Sequence, residues 1–461
     1  MAVIGGGIAG LAAAVRIRER APASTEIIVY EQSGRLGGKL WTGELAGATV
    51  ERGAESFLVG GAEGGESAAV RFVRRLGLGE RIVHPSAIPA ALAIGGLLQP
   101  VPKGTLVGVP GDLSLLGAVA RPDAGADRDE GRPLLAPGAD VAVGALVRAR
   151  YGDEIADRLV DPMLGGVYAG RADRLSLATT MPALARAARV EHTLAGAVRA
   201  AQAAAVRVPG RPVFGAVDGG MTQLIAAAAG ASGARISLGL PVREIARTPH
   251  GWRLLLGPVP APQTDDVDAV VLAVPARPAS RMLAGVDLSA AAEVEALGYA
   301  SVALVALALP PGTPLPELSG FLVPPSEGTL VKAATFVTRK WSHLGREGGP
   351  VIIRASLGRA GEEERLQPPD PVLVRTAHAE LGRLLGGELP PPVGSWVQRW
   401  GGGLPQYAPG HLDRVALARA ALAGAPGLAL AGAAYDGVGI PACVASGESA
   451  ADDVLKHLED Q

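Results

Sequence analysis

Cysteine is nearly absent. Cys443 is the only one in 461 residues, which excludes an intrachain disulfide and any multi-thiolate metal site and fits a reducing compartment. Histidine is sparse too: none of His84, His192, His250, His343, His378, His411 and His457 is spaced as half of a metal-ligand pair. No Ser/His/Asp set, paired carboxylates or metal cluster stands out. An excess of either charge is missing, since Lys+Arg 43 against Asp+Glu 45 leaves a net charge of -2. There is thus no general field to draw nucleic acid or an acidic membrane. Apolar residues reach 48%, yet no run of about 18 exists to span a bilayer. The N-terminus shows no basic segment, apolar stretch and cleavage site. A cytoplasmic protein is expected, with peripheral attachment to a membrane left open. Only Ala2, Val3 and Ile4 precede the first glycines, which is short for a buried first strand, so the expectation is a true start upstream or a trimmed one.

What is present is glycine, in ordered clusters. The length suggests two to three domains. "VIGGGIAG", "LAAAVRIRER" and "EIIVYE" read as strand, turn, helix and strand, and continuous apolar strands around a helix imply a parallel, two-sided sheet. Residues 104–210 turn to Ala, Leu and Arg at helical spacing, interrupted by an Asp/Gly/Pro-rich loop at 121–140. Strand patterns return at 234–256, 268–275 and 299–357, the last as antiparallel strands of a second sheet. The final stretch repeats the opening style of strand, glycine turn and helix. The fold class is α/β: a two-dinucleotide-binding-type domain with a parallel sheet, a second domain with a mixed or antiparallel sheet, and a helical insertion. The nucleotide domain is assembled from 1–85, 211–275 and 396–461, the second domain from 86–103 and 276–395, and the insertion from 104–210.

Gly5, Gly7 and Gly10 form a G-x-G-x-x-G pattern, with Gly6, Ile8 and Ala9 between them, where strand meets helix. Bare backbone there lets a pyrophosphate approach the positive helix end. Glu31, with Gln32 after it, ends the second strand, where a carboxylate would accept hydrogen bonds from an adenosine ribose. A plain tight turn is the competing reading, and the strand, helix and acid together favour a dinucleotide. "GRLGGK" follows at once, where nicotinamide domains need no second glycine cluster. Arg35, Gly38 and Lys39 could close over the pyrophosphate from the other side, which favours a permanently held, non-covalent FAD over NAD.

The blocks "ERGAES", "LVDPMLGGVYAGRADRLSLATTMPAL", "SGFLVPPSEGTLVKAATFVTRKW", "RWGGGLPQYAPGH" and "GVGIPACVASG" resemble, in order, those of the porphyrinogen oxidases in the flavin amine oxidase superfamily. The resemblance is nearest to the soluble bacterial branch that oxidises coproporphyrinogen III; protoporphyrinogen IX oxidases share the blocks. Departures are the short first strand and the 121–140 loop. The resemblance implies that Gly437, Val438, Gly439 and Ile440 bring backbone against the flavin ring, with Pro441 in the first turn of a helix whose N-terminus supports an anionic reduced flavin. It implies that Gly53, Ala54, Glu55 and Ser56 run beside the flavin, that the Val242 backbone pairs with adenine, and that Trp400 lies near the ring. The bland alternatives are a buried loop with one satisfied carboxylate, a core valine and a packed tryptophan.

The chemistry it implies is hydride transfer from a porphyrinogen bridge carbon to flavin N5, repeated, with electrons passed to molecular oxygen as hydrogen peroxide. No side chain need be catalytic, since holding the carbon at about 3 to 3.5 Å and excluding water suffices. Candidate cations for the propionates are Arg171, Lys332, and Arg339 or Lys340. Tyr168, Leu164, Phe321 and Leu322 are candidates to touch the macrocycle, with core packing or surface solvation the alternatives. Cys443 reads as a small buried residue and His411 as a turn cap. The insertion, carrying Arg199 and Arg207 without a Trp or Phe anchor, reads as a lid rather than a membrane-facing surface. Coproporphyrinogen III and oxygen are the expected partners, with room for a transient contact to a downstream haem-pathway enzyme and none for nucleic acid. An amine oxidase, a carotene desaturase and a non-catalytic flavoprotein are the competing functions.

Overall fold

Alternation along five short strands decides the first layer. In the computed structural model, which describes residues 1–61, 64–206 and 208–459, the strands run Arg235–Leu238, Ile28–Glu31, Ala2–Ile4, Val270–Leu272 and Leu428–Leu430 across one parallel sheet. Val3, Val29, Val271 and Ala429 point to one face, and Ala2, Ile4, Ile28, Tyr30, Val270 and Leu272 to the other. Both faces are covered, so the inner strands read as nearly continuous apolar runs, while the edge strand Arg235–Leu238 keeps an arginine and a serine.

The first face carries the helix Ile8–Arg20 and the last helix, Ile440–Glu459. These helices touch backbone to backbone. A methyl group on Gly447 would collide with the Ala9 carbonyl, and one on Gly10 with the Gly5 carbonyl. The alanine-rich sequence of the first helix follows from this approach. The other face carries the antiparallel meander Val242–Thr248, Gly251–Leu256 and Gln263–Val267, with helices Ala276–Leu283, Leu288–Glu295 and His411–Ala421 beside it.

A second sheet has seven strands, in the order Gly394–Gln406, Gly298–Leu309, Val351–Leu357, Val331–Phe336, Gly320–Leu322, Ala90–Ile94 and Leu97–Pro100. It is mixed: Gly320–Leu322 and Ala90–Ile94 pair parallel, and the other pairs are antiparallel. Helix Asp370–Leu384 covers one face. Two expected boundaries do not coincide with this packing. Residues 276–297 belong to the core of the parallel sheet, and 394–406 is an edge strand of the mixed sheet.

The insertion has its own core, built around Leu146, Tyr151, Leu159, Leu164, Leu184 and Val198. Its longest helical path runs from Asp153 to Tyr168 through a wide turn at Ala156–Val160, a local loosening common near functional sites. The 121–140 loop is anchored by Asp127, whose carboxylate accepts from Leu194 N (2.6 Å) and Ala195 N (2.9 Å) and meets Arg150. Arg207 lies outside the described residues. No described helix is long and apolar enough to cross a membrane.

Candidate cofactor and substrate site

Glycines at the proposed slot are of two kinds. Gly5 (φ +111°) must be glycine for the protein's own sake, because a methyl group would strike the Ala273 carbonyl. Gly53 is similar, packed on the Lys39 carbonyl, which also accepts from Ala54 N at 3.0 Å. Gly7 differs. Its φ of -76° suits any residue, and a methyl group there would meet no atom within 4 Å. At Gly439 the nearest atom to such a methyl is 3.8 Å away, and at Gly38 it is 3.5 Å away. Open space therefore lies at the first glycine turn, at the second cluster and at the last turn, and the first two adjoin, a methyl on Gly38 coming 3.5 Å from the Gly7 Cα.

The parallel sheet explains the convergence. Strands Ala2–Ile4 and Leu428–Leu430 both pair with Val270–Leu272, so the turns that follow them emerge at the same sheet end. Ile8 and Leu11 share a core with Ile440 and Val444. Ala9 packs in a core bordered by Cys443.

At the far end of the slot Glu31 accepts from Gly6 N (2.9 Å) and Ser33 N (2.8 Å). Each oxygen keeps capacity for a ribose hydroxyl. Gln32 beside it is exposed. Gly239 N donates to Ser33 O (2.9 Å) and Leu240 N to Glu31 O (3.2 Å), which brings Val242 to the same end. Val242 pairs with Leu256 and packs on the meander core.

Lys39 and Arg35 fare differently. Burial lowers the Lys39 pKa, and among the described residues no carboxylate pairs with its ammonium. Its neighbour is the Cys443 thiol, which burial pushes up to about 11. Arg35 is not aimed over the slot. It donates to Leu36 O (3.1 Å) and Gly38 O (2.7 Å), and its guanidinium lies 4.2 Å from the centre of Trp41. The expected closure over a pyrophosphate thus becomes bracing of the loop.

Trp400 donates from Nε1 to Arg52 O at 2.7 Å and fixes the 51–56 segment. Burial would raise the Glu55 carboxyl, but Arg354 and Lys340, both ion-paired to it, hold it down to about 2. Arg354 also donates to Glu51 O (3.0 Å) and Gly53 O (3.1 Å). Glu55 is therefore a satisfied anchor between the segment and the mixed sheet. Ser56 is half-buried at the end of that segment. Arg354 escaped the sequence reading, although a lone cation in the apolar strand "VIIRASL" was a usable signal.

On the substrate side, Gly166 and Val167 are exposed at the end of helix Asp161–Tyr168. The Tyr168 ring meets Tyr407 edge-on at 5.7 Å, and its carbonyl accepts from Gln406 Nε2 at 2.7 Å. Several expected contacts are core instead. Phe321 is 2% exposed and packs edge-on against Phe336, and Leu164 is fully buried. Leu322 packs under Gly166. Lys332 is 5% exposed, behind the helix end and not on an open surface. Arg171 faces Asp161 at 3.6 Å and Glu362 at 4.0 Å. Lys340 is engaged by Glu55. Arg339 lies in the short helix Val337–Lys340, one residue before its end. His411 is no turn cap: it is buried against Tyr407 at 4.5 Å, and burial pushes its pKa down to about 4.

A parallel sheet with an anion-receptive glycine turn, joined to a mixed sheet, defines a flavin oxidoreductase architecture. The flavin containing amine oxidoreductase family matches residues 8–455, and the chain belongs to it as a flavin-dependent oxidoreductase. Coproporphyrinogen III oxidase of Mycobacterium tuberculosis is 36% identical, covering 100% of this chain and 98% of its own. The Bacillus subtilis enzyme of that name is 30% identical, covering 99% and 98%. A crystal structure provisionally assigned as a protoporphyrinogen oxidase from Exiguobacterium sp. 255-15 superposes with a TM-score of 0.83 at 30% identity, covering 99% and 98%.

Proposed function

We propose that the protein is an FAD-dependent oxidase of coproporphyrinogen III, yielding coproporphyrin III. The observation that carries this reading is the slot lined by Gly7, Gly38 and Gly439, with an unpaired ammonium, Lys39, at its side. Its donor set fits FAD. Gly7 opens the first helix without a side-chain cap, so free amides face a pyrophosphate. Lys39 supplies the countercharge, Glu31 holds the adenosine ribose, and the 239–242 segment flanks the adenine.

When bound, the flavin accepts hydride equivalents and passes electrons to oxygen, with hydrogen peroxide as product. The chain's part is positioning. The last helix offers its positive end to the flavin ring, favourable to a reduced anion by about 0.3 to 1 kcal/mol. The face at Gly166, Val167 and Tyr168 receives the macrocycle. Full-length relatives named for coproporphyrinogen III support the substrate. Arg171, the half-exposed cation at this face, is the propionate candidate. The protein is proposed to act in the cytoplasm, and recovery only in a membrane pellet without detergent would refute that.

The deciding assay follows porphyrin fluorescence and peroxide with both porphyrinogens in parallel. Faster turnover of coproporphyrinogen III is expected. Faster turnover of protoporphyrinogen IX would reverse the substrate, and no oxidation of either would reject the reading.

A further inference from the structure

Two cations behind the helix end Gly165–Tyr168 have been taken out of water. Arg359, 4% exposed, is satisfied: it donates to Thr329 O and Val323 O, each at 3.0 Å. Lys332, 5% exposed, is not. Its one described hydrogen bond is a long one, 3.5 Å to Gly165 O, although an ammonium has three protons to donate.

The neighbouring carboxylates are committed elsewhere. Asp161 accepts from Ala172 N at 2.7 Å and faces Arg171. Glu362 faces Arg171 and pairs with Arg365. Glu380 accepts from Leu330 N (3.0 Å) and Val331 N (2.8 Å). Burial, and then repulsion from Arg359, push the Lys332 pKa down to about 7. A charge so placed opposes folding. A methionine of similar length would fill the space without that penalty, so packing does not explain the lysine.

Its one acceptor is informative. Gly165 O also receives Ala169 N at 3.0 Å, the bond that ends the helix, and Ala169 there adopts φ +53°. Carbonyls at a helix C-terminus attract cations, and the ladder upstream is already loosened at Ala156–Val160. We propose that Lys332 is a positioning residue of the substrate wall: its protonated amine, repelled from behind by Arg359, holds the Gly165 carbonyl and with it the face at Gly166, Val167 and Tyr168. Deprotonation releases that face. The inference rests on the preceding reading that this face meets the porphyrinogen.

The test compares the holoenzyme with Lys332→Met and Lys332→Arg, using coproporphyrinogen III between about pH 6 and 9, a window that brackets the lowered lysine value and stays below the ordinary one of about 10.4. In the wild type KM should rise several-fold with a midpoint near pH 7, while kcat stays flat. Lys332→Met should show the high KM at every pH with a Tm equal to or above the wild type, and Lys332→Arg the low KM throughout. A wild-type KM without inflection, or Lys332→Met with an unchanged KM profile, overturns the inference alone. A lowered Tm in Lys332→Met with the same pH midpoint as wild type also overturns it, by assigning the residue a purely structural part. No turnover by the wild type at any pH overturns it together with the porphyrinogen reading.

Discussion

Replacing Gly7 with alanine isolates the cofactor slot from the fold. Gly7 precedes the first helix at φ -76° and ψ 177°, and an added methyl meets nothing within 4 Å. Alanine at a helix N-cap loses about 0.5 to 1 kcal/mol relative to good caps, and the lower entropy of the unfolded chain returns about 0.4 to 1. The apo protein should therefore keep its Tm. On the proposed reading, a bound dinucleotide meets that methyl. Holding its pyrophosphate off the helix end forfeits charge-assisted hydrogen bonds of roughly 1.5 to 3 kcal/mol each. Two such bonds amount to about 3 to 6 kcal/mol, or a factor of about 150 to 20,000 in Kd. Gly5→Ala is the control: strain at φ +111° and collision with the Ala273 carbonyl should unfold it with or without flavin. Flavin absorbance of purified protein, FAD titration of the apo form and apo Tm read the outcome. Gly7→Ala with wild-type FAD affinity would refute the slot; a Tm loss matching Gly5→Ala would refute the division between the two kinds of glycine.

Other expectations follow from the buried charges. Arg354→Met leaves the Glu55 carboxylate with Lys340 alone and should destabilise by about 3 to 5 kcal/mol, measured by urea unfolding. Glu55, held at about 2 against an ordinary 4.5, contributes stability that is present above about pH 4.5 and lost on descending to 2. Glu55→Gln should flatten acid unfolding in that window, and an unaltered slope would count against the ion pairs. His411 is kept neutral by burial, its pKa about 4 instead of 6.5, so its stabilising effect disappears as pH falls from 6.5 to 4. His411→Phe should remove that slope from a Tm series. The Cys443 thiol, raised to about 11, is almost wholly protonated near neutral pH, so thiol reagents should react slowly with the native protein. Acid precipitation should release all of the flavin, and pellet-bound flavin would contradict the non-covalent reading.

The parallel sheet and the glycine turns were legible because each strand carries its own period and each turn its own backbone demand. "VIGGGIAG" and "GLALAGAAY" announce strand and turn without reference to anything distant. Side-chain destinations were less legible. Phe321 looked available for a macrocycle, but its strand Gly320–Leu322 lies inside the mixed sheet and faces Phe336. Its fate depends on pairing with Ala90–Ile94, some 230 residues earlier, and no local pattern reveals a long-range partner. Arg35 reads as a phosphate clamp until Trp41 folds beneath it. Residues 276–297 read as second-domain chain because helices lack a sheet address; only contact with Trp252, Leu254 and Val415 assigns them to the first.

The two domains meet through charge and not through apolar contact alone. Arg354 projects from the mixed sheet into the 51–56 segment and binds two of its carbonyls and Glu55, while Trp400, from the edge strand of the same sheet, binds Arg52 O. The Gly53 backbone in turn rests on the Lys39 carbonyl. A path of contacts thus runs from the mixed sheet, through Arg354 and Gly53, to the Lys39 backbone beside the proposed flavin slot. A hydride donor must be held about 3 to 3.5 Å from its acceptor, and a misplacement of about 1 Å costs roughly 100-fold in rate. Hydrogen bonds between main-chain carbonyls and a forked guanidinium set that register more tightly than interdigitated leucines could, because each bond has a direction as well as a distance.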